Sequence, residues 1–168
     1  QDKIDNSPLL ASRIDDVPQV SNEQLKYLGL HDMFLESSNH YLQTVSKYKI
    51  TDLGIVATWL NNQMENEYNP VHFHMNCKLS AVLYLKMPTF EDRGPSKLGA
   101  SKENIDGDIA FIFGTSDSYG FSSGVFPYKP TVGDLLIFPS TLFHTVYPFK
   151  GKGIRRTMAF NVDYNIID

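Results

Sequence analysis

Cysteine is nearly missing from this chain: Cys77 is the only one in 168 residues. An intrachain disulfide framework is thereby excluded, and the composition suits a reducing compartment. Long apolar runs are missing too, since none approaches the ~18–20 residues needed to span a bilayer. Basic clusters are scarce, the densest being Arg155-Arg156 within a formal net charge of −4. A nucleic-acid backbone is therefore not signalled as a partner. The opening QDKIDNSPLL lacks the charged-then-apolar order of a secretion signal. No internal repeat and no low-complexity linker is present. These absences lead to the expectation of a soluble, cytoplasmic protein with no membrane partner.

What the chain does contain is one domain's worth of core-forming residues. Its 11 Phe and 9 Tyr favour β-structure. Residues 1–20 are polar, with two prolines, and read as an irregular arm or short edge strand. Ser21 and Gln24 have the spacing of a capping box that opens a helix. Leu25, Leu28, Phe34, Leu35, Tyr41, Leu42 and Val45 then recur at helical spacing, with Gly29 as a break, so residues 21–47 form the helical segment. From residue 49 onward the pattern changes to short apolar runs between turn residues: DLGIVATWLN, LSAVLYLKM, DIAFIFG, GVFPYKP, DLLIFP, FHTVYPF and RRTMAFNVDYNI. Connections too brief for crossover helices imply antiparallel pairing in a sandwich or barrel. The stretches 91–107 and 115–124 are the expected covers of any site.

Three pieces carry chemistry. In VHFH, His72 and His74 share a face if the chain is extended, with Phe73 on the other. Two neutral imidazoles on one face make a half-site for Zn, Fe, Ni or Cu, although a pair serving packing or hydrogen bonds has the same spelling. In KPTVGDLLIFPSTLFHTV, a Gly133-Asp134 turn opens a buried strand that Pro139 stops, and His144 follows where it can reach an earlier strand. In GIRRTMAFNVDY, alternation places Arg156, Met158 and Phe160 on one face and Arg155, Thr157, Ala159 and Asn161 on the other. The first set is the more apolar, so it is expected inside, with Arg156 inward and Arg155 in water. A buried arginine calls for an anion, and its planar fork suits a carboxylate.

The order of these pieces resembles the double-stranded β-helix (jelly-roll) oxygenases that use Fe(II) and 2-oxoglutarate. More narrowly, it is similar to a 2-oxoglutarate–iron oxygenase family of bacteria and their phages. The shared patterns are N-P-x-H-x-H at Asn69–His74, L-S-x-V-x-Y-L at Leu79–Leu85, G-D-L-L-x-F-P-S-x-L-x-H-x-V-x-P at Gly133–Pro148, and R-x-x-x-x-F-N, read as Arg156 to Asn161. Together they span roughly residues 50 to 165. The resemblance implies a mainly β jelly roll, one domain over 1–168 with its β core in 49–168 and the helices packed outside one sheet. It also implies an Fe(II)- and 2-oxoglutarate-dependent dioxygenase hydroxylating a small molecule or peptide that the sequence does not identify. His72, His74 and His144 are the implied metal ligands, and Arg156 the grip on the far carboxylate of 2-oxoglutarate. Tyr84, Ser80 and Asn61 are implied to line the same pocket.

Two departures from the pattern stand out. His74 occupies the position where most relatives have a carboxylate, and Met158 stands two residues after Arg156, where many have a serine. A cupin-like metalloenzyme without 2-oxoglutarate is one alternative, weakened because Asn76, Cys77 and Lys78 stand where the cupin glutamate belongs. A non-catalytic jelly-roll binding or structural module is the other. Open sheet edges make a homodimer an expectation.

Overall fold

The computed structural model describes residues 12–91, 104–114 and 124–167. Among the described residues, two helices, α1 (Asn22–Tyr27) and α2 (Leu30–Val45), precede ten strands. These are β1 (Lys49–Gln63), β2 (Asn69–His72), β3 (Leu79–Lys86), β4 (Thr89–Phe90), β5 (Ile109–Ile112), β6 (Val125–Tyr128), β7 (Leu135–Pro139), β8 (Phe143–Val146), β9 (Gly151–Lys152) and β10 (Arg155–Ile167). None of the described helices is long and apolar enough to cross a membrane.

The helical start follows the sequence closely. Ser21 Oγ accepts from the Gln24 backbone N–H, and the Gln24 side chain accepts in return from the Ser21 N–H. Two of the helix's orphan donors are satisfied in this way. Gly29, at φ 69°, sits in the left-handed region that separates α1 from α2. Leu25, Phe34 and Leu42 turn into the core, whereas Leu28 and Val45 stay in solvent.

One four-stranded sheet runs β1-β10-β3-β7 and another β2-β8-β5-β6, while β4 and β9 form a small ribbon. Every strand pairing is antiparallel. The helices cover the outer face of the larger sheet, where Leu25, Phe34 and Leu42 pack on Ile55, Leu79, Met158, Phe160 and Val162. Phe34 stacks flat on Phe160, with ring centroids 4.0 Å apart. The inner faces of the two large sheets look at each other across a cavity, which is the jelly-roll arrangement.

The described part of the arm, residues 12–20, pairs along a sheet edge. Val20 N–H donates to Thr58 O, Leu60 N–H to Pro18 O and Asn62 N–H to Asp16 O, so the arm lies along the free edge of β1. Ile14 and Val17 tuck beneath Trp59 and Ala159. An edge that would otherwise present bare backbone groups is covered. Of the two expected site covers, residues 92–103 and 115–123 lie outside the described residues.

Candidate metal centre

His72 ends β2 and pairs across the ladder with His144 of β8. His74 follows two residues later, its backbone N–H held by Ser140 O at 2.9 Å. The chain is extended here, so both rings of VHFH point inward, while Phe73 turns outward to meet Phe143 edge-on at 5.2 Å. The three imidazoles converge: one ligand nitrogen from each lies within 4.8 Å of the other two.

Hydrogen bonding settles which nitrogen each ring offers. His72 Nδ1 lies 2.7 Å from Pro70 O, and His144 Nδ1 lies 2.9 Å from Leu142 O. His74 Nδ1 lies 2.9 Å from Asn161 Oδ1. Each partner is a carbonyl oxygen that accepts but cannot donate, so each Nδ1 carries the proton and each Nε2 keeps a free lone pair. Burial pushes all three pKa values down, and the His144 value falls to about 3 with added opposition from His72 and His74. The rings are therefore neutral at physiological pH, the form a metal requires. Three preset, neutral Nε2 donors on one side of a cavity fit a divalent transition metal.

The cavity measures about 480 Å³ and runs between the two sheets. Phe138, Val82, Ile109 and Val146 form its apolar wall around His144, and Trp59 lies beside His74 with centroids 5.6 Å apart. Among the described residues that line it, the single charged side chain is an arginine, and it is Arg155.

Arg156 does not point inward as the sequence pattern suggested. It is half-buried on the opposite face, where its Nε donates to Asn62 Oδ1 at 2.6 Å. Arg155 is fully buried, and its Nε donates to Gly107 O at 3.0 Å. Its Nη2 donates to Tyr84 Oη at 3.2 Å, with the guanidinium carbon 4.9 Å from the Tyr84 ring centroid. The inversion has a physical cause. β10 is buried on both faces, and its more apolar face belongs to the helices, through Met158 and Phe160. The cavity takes the more polar face: Arg155, Thr157, Ala159 and Asn161. Two of the guanidinium's five N–H groups are used by these bonds, and burial works against its charge while Tyr84 and the buried Asp108 favour it.

The correction also removes one of the two departures. Two residues after Arg155 stands Thr157, a buried hydroxyl in the cavity wall that accepts from Asn61 Nδ2 at 3.4 Å. The spacing R-x-x-x-x-F-N, counted back from Phe160-Asn161, lands on Arg155 and was the signal available. Tyr84 lines the cavity beside Arg155, and Asn61 lines it beside Thr157. Burial raises the Tyr84 pKa to about 12, so its hydroxyl keeps its proton. Ser80 lines the same cavity at its His74 end, with its Oγ 3.0 Å from both His74 Nδ1 and Asn161 Oδ1. Asn161, Thr157 and Trp59 are among the cavity residues not expected to be site residues from the sequence.

A family profile described as "Putative 2OG-Fe(II) oxygenase" matches residues 57–161. No curated protein shows a significant sequence match to the chain. Among solved structures, the fold is similar to a viral collagen prolyl hydroxylase of Paramecium Bursaria Chlorella virus-1 (TM-score 0.57, 14% identity, 90% of this chain and 80% of that one). It is also similar to a Pseudomonas putida prolyl-4-hydroxylase (0.54, 15%, 88% and 71%). A third is an oxidoreductase of the 2OG-Fe(II) oxygenase family from Burkholderia pseudomallei (0.55, 13%), where this chain is covered over 96% of its length but spans only 65% of the relative. At these identities the likeness is one of fold.

Proposed function

The chain belongs to the 2OG-Fe(II) oxygenase family, and we propose that its cavity holds Fe(II) on the Nε2 atoms of His72, His74 and His144 and anchors 2-oxoglutarate on Arg155. One observation carries this reading: a buried guanidinium with spare donors shares one cavity of about 480 Å³ with three preset imidazoles. Bound there together, iron and 2-oxoglutarate supply a coupled oxidation in which O2 converts the keto acid to succinate and CO2 and a substrate C–H to C–OH.

The protein's own part is placement. The guanidinium fork of Arg155 gives two parallel N–H donors to the far carboxylate of 2-oxoglutarate. Tyr84 accepts from Arg155, which leaves its own O–H to donate to the same carboxylate. The Thr157 hydroxyl supplies a further polar contact. A charge-assisted bond in a site this buried is stronger than at a surface. Three neutral ligands leave the metal's full +2 charge available to the keto acid's near carboxylate. At the other end, Met75 lines the cavity while remaining exposed, which supports substrate entry beside His74.

The all-histidine donor set favours one second reading, a cupin-like metalloenzyme without 2-oxoglutarate. The two are separated by supplying Fe(II)-loaded protein with 2-oxoglutarate and O2 and measuring succinate. Even without a hydroxylated substrate, slow succinate formation that requires both is expected. Metal uptake with no succinate above a metal-free control would favour the cupin-like reading.

A further inference from the structure

The three histidines are not held alike. His72 and His144 each bond a backbone carbonyl two residues earlier, a contact the local chain makes whatever side chains surround it. His74 alone is held by side chains, Asn161 of β10 and Ser80 of β3. These two residues face each other across the ladder of the larger sheet, and Ser80 is fully buried. Asn161 Oδ1 accepts from the Ser80 hydroxyl at 3.0 Å and lies 2.9 Å from His74 Nδ1.

From this we propose that Asn161 and Ser80 are positioning residues for the metal centre: a side-chain latch that keeps His74 in the tautomer and orientation of an Nε2 ligand, at the position where relatives carry a carboxylate. An asparagine has two faces. With Oδ1 toward the ring, Nδ1 is protonated and Nε2 is free for a metal. With Nδ2 toward the ring, Nδ1 must accept, the proton moves to Nε2, and the ligand is blocked. Among the described residues no backbone carbonyl meets His74 Nδ1, so the Asn161–Ser80 pair selects the competent state. Such outer contacts tune ligand basicity and metal affinity. The inference rests on His74 being a ligand, as proposed above, and concerns how that ligand is set.

The test uses the full chain with and without Co(II), comparing the wild type with Asn161→Leu, Asn161→Asp and Ser80→Ala. In the metal-free protein, ¹⁵N NMR of the histidine rings should show His74 protonated at Nδ1. Asn161→Leu should shift it toward Nε2–H or a mixture, while His72 and His144 stay unchanged. Co(II) affinity should weaken ~10–100-fold in Asn161→Leu and be restored toward wild type by Asn161→Asp, which keeps an acceptor at the same place. Ser80→Ala should weaken it less, since the Asn161 contact survives. An unchanged His74 tautomer and unchanged Co(II) affinity in Asn161→Leu would overturn the latch. The two proposals fail separately: wild-type protein that takes up no Co(II) defeats the metal-centre reading, while the tautomer measurement still decides the latch.

Discussion

Replacing Arg155 with Met should abolish useful 2-oxoglutarate binding, while Arg156→Met should leave it within about twofold of wild type. Arg155 is fully buried, its neighbours Tyr84 and Gly107 are already in place, and among the described residues it is the one charged side chain lining the cavity. Loss of one partner of a buried, hydrogen-bonded charge pair costs about 2–5 kcal/mol, because the other charge is left desolvated and alone. That range corresponds to roughly 30-fold to several-thousand-fold weaker binding. Arg156 instead bonds Asn62 on the face away from the cavity. The measurement is calorimetric titration of 2-oxoglutarate into anaerobic Fe(II)-loaded protein. Iron affinity and melting temperature are followed in parallel, so that misfolding is not mistaken for a lost contact. Equal losses in the two variants would refute the assignment of Arg155.

The second large effect is expected at His144. Its ring is buried against Phe138, with centroids 4.9 Å apart, and its Nδ1 is fixed on Leu142 O. His144→Ala should weaken divalent-metal binding by more than the ~10–100-fold typical of losing an outer partner, because a donor atom itself disappears. Competition against a metal-responsive dye measures the effect. A variant that binds metal as tightly as wild type would remove His144 from the centre. The contrasting control is His40→Ala, on the exposed surface of α2, which should change nothing.

Much of this architecture was readable in the residues because short-range chemistry dictates it. The Ser21–Gln24 box, the Gly29 break and the strand runs each depend on a few neighbouring residues, and the structure places them as spelled. VHFH was legible as an inward pair because alternation on a strand is a local property. The arginine was misread because the choice of face on β10 depends on what covers the sheet from outside. The rule that the more apolar face turns inward holds when one side meets water. Here helices occupy one side and a cavity with a few polar groups the other, so Phe160 turned toward Phe34 and Arg155 toward Tyr84. The latch on His74 was invisible for a related reason: Ser80 and Asn161 stand 81 positions apart and meet only through the β3–β10 register.

The three-histidine centre also bears on the remaining departure from the family pattern. His74 is not a stray ring at a carboxylate position, because it lies with His72 and His144 and shares their protonation state. Among the described residues, the cavity wall near His74 includes Trp59, Ala57, Met75 and Asn76, none of them charged, and it is the proposed substrate side. Charged substrates would have to keep their charges outside this mouth.

The central claim is that one cavity binds Fe(II) through three imidazoles and 2-oxoglutarate through Arg155. It is tested most directly by adding 2-oxoglutarate to the Fe(II)-loaded protein without oxygen and recording the visible spectrum. A weak charge-transfer band should appear and saturate at one equivalent per chain, and it should be absent in His144→Ala and lost at the same concentrations in Arg155→Met. Tight Fe(II) binding with no spectral response to 2-oxoglutarate at any concentration would contradict the account.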